Sequence, residues 1–225
     1  MQEKKDRLGD LLFVAQVIGA VLFCGTMLLK LWRDGVQPGL SIAMVFFYGA
    51  FTVINLRLSR RSLQEYPGKK TQKSFATYLM WTFLWGANII LVIRGLVMNP
   101  RKLWLPVDNV ASIAVAIGLL VVWRFARRNQ LTLKDPMVHG GVALVLKSVP
   151  QIFQGIGFLV SGGASWRGDT VLIGHATILV RILQLWRQVR EEGLDRHARA
   201  SLVSEIGNEL SWLLATAAWL WWRFS

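Results

Sequence analysis

The stretch VHGGVALVLKSVPQIFQGIGFLV, Val138 to Val160, carries Lys147 as its one Lys, Arg, Asp or Glu. A bilayer core ~30 Å thick is crossed by a helix of roughly 20 apolar residues, and this run is long enough. Asp135-Pro136 stands before it and Gly162-Gly163 after it, the residue types that start and stop helices. Six further runs of the same character flank it, Leu11 to Leu31, Leu40 to Leu56, Phe75 to Met98, Leu105 to Trp123, Thr170 to Trp186 and Ala198 to Trp222. Seven crossings would use roughly 140 residues and leave short loops, which 225 residues accommodate. Asp34-Gly35, Tyr66-Pro67-Gly68, Asn99-Pro100-Arg101, Lys134-Asp135-Pro136, Gly162-Gly163 and Gly193 supply the turns between them. The expectation is an all-α integral membrane domain with little chain outside it.

The composition agrees, being 53% hydrophobic and 17% charged with 11 Trp. Soluble all-α enzymes, nucleic-acid modules and disordered tails are poor readings, because most of the 26 Lys and Arg sit in the gaps between apolar runs. The net charge of +13 points to a membrane surface, including anionic lipid, and to no nucleic acid. The single cysteine, Cys24, lies within an apolar run, so an intrachain disulfide is excluded. Mixed charge over Glu3 to Arg7 and a spanning first run without a small-residue cleavage site argue against a cleaved signal.

Trp32, Trp104, Trp123, Trp166, Trp186 and Trp219 to Trp222 fall near run ends and are expected to form the aromatic belts at the two interfaces. Most of the Lys and Arg lie before the first run and in the second, fourth and sixth connections, as in Arg57, Arg60, Arg61, Lys69, Lys70 and Lys73. This bias predicts a cytoplasmic N-terminus and an external C-terminus. The short loops favour a plasma (inner) membrane.

The chain also pairs with itself. One ungapped offset matches Val21 with Val145, Leu22 with Leu146, Gly39 with Gly163, Ser41 with Ser165, Ile54 with Ile178 and Arg57 with Arg181. It superposes the first run on the fifth and the second on the sixth; after a small loop difference Asn88 of the third run meets Asn208 of the seventh. The expected organisation is a first three-helix bundle over 1–103, a linker helix over 104–130 and a second bundle over 131–225. An odd linker restores the direction of the second triplet, so the two bundles are parallel, related about the membrane normal.

Val149-Pro150-Gln151-Ile152-Phe153 followed by Gly163-Ala164-Ser165 resembles the PQ-loop signature, and LLKLWRDGVQPGLS, Leu28 to Ser41, resembles its tail in the first repeat. The chain is thus similar to the SWEET, SemiSWEET and PQ-loop transporter superfamily, across its whole architecture but over only a short motif in each repeat. The resemblance implies transport of a small polar solute, a sugar first of all, through a central cavity by alternating access. It further implies a hinge at Pro150 and Gln151, and solute contact at the Asn of each third helix, here Asn88 and Asn208. The first repeat departs from the pattern, with Thr26-Met27 where Pro-Gln is expected. Members of the SWEET type usually hold the N-terminus outside, opposite to the orientation that the charge bias predicts.

Taken residue by residue, Asn88 and Asn208 must find partners at membrane depth, and each has a Trp about one turn away, Trp85 and Trp212. A ring face beside an amide suits a sugar; interhelical packing is the alternative for the same residues. Pro150 removes a hydrogen bond inside its helix, which a hinge can use and a passive kink also explains. His175 is a candidate for proton coupling or a structural histidine. Lys147, Arg181, Glu205 and Glu209 are expected to pair as a charge network that can serve as an inner gate, with Lys147–Glu209 one such pair. His139, His175 and His197 are scattered, so no metal site is expected, and no phosphate loop, nucleophile elbow or cofactor motif occurs. The expectation is a transporter rather than an enzyme, working as a monomer or a homo-oligomer. A receptor or scaffold of the same architecture that binds a ligand or lipid without moving it is the alternative.

Overall fold

A computed structural model describes residues 2–36, 39–98, 105–163 and 166–225. The described residues form seven helices and no strand: α1 (Gln2–Asp34), α2 (Ile42–Glu65), α3 (Lys69–Met98), α4 (Pro106–Arg128), α5 (Pro136–Ser161), α6 (Gly168–Glu192) and α7 (Arg196–Phe224). The Asn99-Pro100-Arg101 turn, Trp104 and Ala164-Ser165 lie outside the described residues.

Local chemistry sets the ends. Ser41 caps α2 by accepting from the Met44 amide at 3.1 Å, Asp135 caps α5 through Met137, and Asp195 caps α7 through Ala198. Pro106 and Pro136 occupy first-turn positions, where the missing N–H costs nothing. Gly162 and Gly193 end α5 and α6 with φ of 86° and 87°, a region that favours glycine. The helices overrun the apolar stretches: α1 starts well before Leu11, α2 continues past Leu56 to Glu65, α3 begins at Lys69, and α6 runs to Glu192. Hydropathy marks where the apolar environment stops, whereas the helical hydrogen-bond ladder continues through the charged residues beyond it.

Six helices, α1 to α6, are long and apolar enough to cross a membrane. α7 has the length, about 43 Å at 1.5 Å per residue, but Glu205, Asn208 and Glu209 lower its hydropathy. The outward faces are apolar: Ile18, Leu29, Phe83, Ile90, Ile117 and Leu172 are all exposed. A surface of this kind fits a hydrocarbon surround and is untenable in water.

The packing is up-and-down. α3 packs on both α1 and α2, and α7 on both α5 and α6, while α1 meets α6, α2 meets α5, and α4 lies along α5. The closest approach is α5 on α7, where Gly140 faces Ala200 and Gly155 faces Ala215. A Cβ on Gly155 would sit 3.1 Å from the Ala215 Cα, so a larger residue there must push the helices apart. The core is aromatic. Phe23 stacks on Trp85, with centroids 6.3 Å apart, and meets Trp212 edge-on, while Trp166 lies against Trp212 at 4.5 Å.

Three of the expected belt tryptophans are not fully at the surface, Trp222 being half-buried beside Gly162 and Gly163. Trp166 is 6% exposed within the aromatic core, and Trp219 is half-buried, its indole donating to the Gly163 carbonyl at 3.1 Å. Trp32, Trp123, Trp186 and Trp221 do face outward. Trp166, just before α6, packs on Phe158 and Trp212, a fact that position near a run end does not encode.

Candidate functional site

A cavity of about 890 Å³ runs down the middle of the bundle. Its lining comes from α1, α2, α3, α5, α6, α7 and the turn before α5. The rim holds exposed charged residues, Glu65, Lys69, Lys134 and Asp195, at the end where α1, α3, α5 and α7 begin. Asp10 is bridged there by both Lys69, at 3.1 Å, and Lys73. The walls are mixed: Thr52 and Asn55 of α2, Tyr78 and Trp81 of α3, and Arg181 and Gln184 of α6. Phe23, Met44, Trp85, Gln151, Asn208 and Trp212 form the floor, and all are buried. The opening thus leads from a basic rim to an aromatic and amide-bearing bottom.

The two floor tryptophans are held in the same way. The Trp85 indole donates to the Val45 carbonyl at 2.7 Å and that of Trp212 to the Val171 carbonyl at 3.4 Å. Val45 and Val171 occupy corresponding places in the first turns of α2 and α6. Such a bond fixes ring orientation, so each indole presents its side to the cavity at little further conformational cost.

The two asparagines are not equivalent. Asn208 lines the cavity, its Nδ2 lies 3.5 Å from Glu205 Oε2, and its Oδ1 is buried without a partner among the described residues. Asn88 lies one turn beyond Trp85, away from the opening, where its Nδ2 donates to the Leu84 carbonyl at 2.9 Å. It is fully buried, and its Oδ1 likewise lacks a partner among the described residues. Trp85, Trp212, Asn208, Gln151, Lys147, Arg181 and Glu205 are brought to one cavity; Asn88, Pro150, His175 and Glu209 stand behind its walls.

The charges pair differently from the Lys147–Glu209 expectation. Lys147 Nζ lies 2.8 Å from Glu205 Oε2, with the ammonium 5.0 Å over the Phe51 ring. Glu209 Oε1 instead lies 2.6 Å from His175 Nδ1, and His175 Nε2 is 3.0 Å from Thr216 Oγ1. Glu205 and Glu209 are one turn apart, and the rotation of α7 turns the first toward α5 and the second toward α6. Arg181 stands apart from both pairs, its Nη1 donating to Gln184 Oε1 at 3.1 Å.

α5 remains one helix through Pro150, which leaves the Leu146 carbonyl without its usual donor. Gln151 accepts from the Ser211 hydroxyl at 2.6 Å, tying the proline-bearing turn to α7. At the corresponding place in α1, Thr26 bonds back to the Phe23 carbonyl and accepts from Thr170 at 3.1 Å.

The end of the bundle away from the rim is closed by residues that sequence reasoning passed over. Gln154 accepts from the Ser41 amide at 2.6 Å and donates to the Gly39 carbonyl, joining α5 to the start of α2. Asp108 of α4 accepts from the Ser41 hydroxyl at 2.8 Å, the Ala43 amide at 3.0 Å and the Leu105 amide at 3.1 Å. One carboxylate thereby caps two helices. Gly39, at φ 84°, passes so close to Gly162 that no side chain fits. The available signal was a lone carboxylate and a lone amide inside apolar runs, each of which must find partners.

Searches for similarity to known protein-family models, to curated proteins and to solved structures match nothing.

Proposed function

We propose that the chain is a SWEET-like membrane transporter of the PQ-loop kind, moving a small polar solute, a sugar in the first instance, by alternating access. The single observation that carries the proposal is the cavity, open through a polar rim at one end and closed at the other by the Gln154, Ser41 and Asp108 bonds. That is the form of one half of an alternating-access cycle, in which the closed end opens once the open end shuts.

The packing supports two parallel bundles, α1–α3 and α5–α7, joined by α4. In each triplet the third helix packs on the other two, and α1 with α6 and α2 with α5 are the contacts that a two-fold axis through the cavity would generate. In this arrangement α7 is the seventh span, its polar residues turned to the cavity and to His175. With the N-terminus cytoplasmic, as the basic rim favours, the cavity faces the cytoplasm of a cell with this protein in its plasma membrane. On this reading Asn208, Trp85 and Trp212, buried at the floor, supply the amide and rings that a sugar ring accepts once the bundles part.

The test is counterflow of labelled sugars into liposomes holding the purified protein. Flux above that of protein-free liposomes is expected. Saturable binding without flux for every solute would replace the transporter with a receptor of the same shape.

A further inference from the structure

Three charged side chains line the inner half of the cavity, Lys147, Arg181 and Glu205. Two of them neutralise each other across 2.8 Å. Arg181 has a neutral partner, Gln184, and among the described residues no carboxylate lies within ion-pair distance of its guanidinium. Glu209, the other carboxylate on the facing stretch of α7, is held by His175. Counting only the charged side chains that line this part of the cavity, one positive charge is left over beside the aromatic floor. At the entrance Lys69 and Lys73 share the carboxylate of Asp10, with Glu65, Lys134 and Asp195 also on the rim.

A cleft with low-dielectric walls and one sign of charge concentrates ions of the opposite sign. A neutral sugar would strip water from Arg181 without returning a charge, which disfavours it at this place. A carboxylate would receive the two parallel N–H donors of the guanidinium fork. Beside it, Tyr78, Trp81 and Gln184 are half-buried and line the same cavity, offering a hydroxyl, an aromatic ring and an amide to a hydroxylated chain.

We propose that the transported solute is a hydroxylated monocarboxylate, a sugar acid, whose carboxylate binds Arg181 while its hydroxylated chain lies along Tyr78, Trp81 and Gln184. This rests on the transport reading and adds a charge requirement to it.

The experiment is counterflow of labelled gluconate and labelled glucose, measured in parallel in liposomes holding the full chain, with wild type, Arg181→Gln and Arg181→Lys. Gluconate is expected to exchange about tenfold or more faster than glucose. Arg181→Gln should lower gluconate exchange by about tenfold or more, the size of one lost charge-assisted hydrogen bond. Arg181→Lys keeps the charge but not the fork and should fall between. Glucose moving as fast as gluconate, or full gluconate exchange by Arg181→Gln, overturns the charge requirement and leaves transport standing. Exchange of neither solute removes the transport reading and this inference with it. Should Arg181→Gln fail to reach the membrane, the wild-type ratio of the two solutes decides alone.

Discussion

Removing one member of the Lys147–Glu205 pair should cost more than removing both, and the two single losses should differ. The Lys147 side chain is 3% exposed and that of Glu205 17%, so the ammonium is the more deeply buried end. Breaking a buried pair by deleting one partner costs about 3–5 kcal/mol, because the survivor is an uncompensated charge. Lys147→Met leaves a carboxylate that still has the Asn208 amide at 3.5 Å, and it borders the cavity. Its cost belongs at the lower end, about 3 kcal/mol. Glu205→Met leaves an ammonium whose remaining polar stabilisation is the Phe51 ring at 5.0 Å, which places it near 5 kcal/mol. At roughly 2–4 °C per kcal/mol, the melting temperature should fall by roughly 6–12 °C in the first variant and roughly 10–20 °C in the second. The double Met variant replaces two charges with apolar volume and should lie within about 1–2 kcal/mol of wild type. The assay is loss of the monodisperse size-exclusion peak after heating the detergent-solubilised protein. A double variant that falls by the sum of the singles, or two singles equal within about a degree, would refute the reasoning.

Asn208→Ala should abolish solute flux while leaving expression and the size-exclusion profile unchanged, since its amide oxygen has no partner among the described residues; retained uptake sinks the binding role. Pro150→Ala restores a donor to the Leu146 carbonyl and should stiffen α5, lowering exchange several-fold with little loss of stability, and full exchange would argue for a passive kink. Gln154→Leu cuts the link between α5 and the start of α2, so the buried Cys24, 1% exposed, should become reactive to a membrane-impermeant maleimide added outside; unchanged labelling would show that these bonds do not hold that end shut. Gly155→Leu forces α5 away from the Ala215 backbone and should cost about 1–3 kcal/mol or more, seen as a lower melting temperature, whereas no change would mean that the helices repack freely.

The division of the chain into seven helices was legible from its residues, because length, apolar content and stop signals are local. Asp135-Pro136, Gly162 and Gly193 act on the few residues beside them, and the helix ends fall where they stand. The polar residues destined for the cavity were legible as types, since Asn208, Lys147 and Glu205 inside apolar runs demand partners. Their partners were not legible. Glu205 and Glu209 look alike along the chain, and only the rotation of α7 between α5 and α6 assigns one to Lys147 and the other to His175.

The sequence by itself determined an all-helical chain of seven runs, and a set of polar side chains that could not face lipid. Tertiary structure alone decided that Asn208 lines the cavity while Asn88 sits behind Trp85, that Trp166 belongs to the core, and that Gln154 and Asp108 close one end. Gln154 bonds to Ser41 across 113 residues of chain, and Lys147 to Glu205 across 58. Such pairs depend on how helices far apart in sequence rotate and cross, and that is settled by side-chain packing between faces, which periodicity along a single helix does not contain.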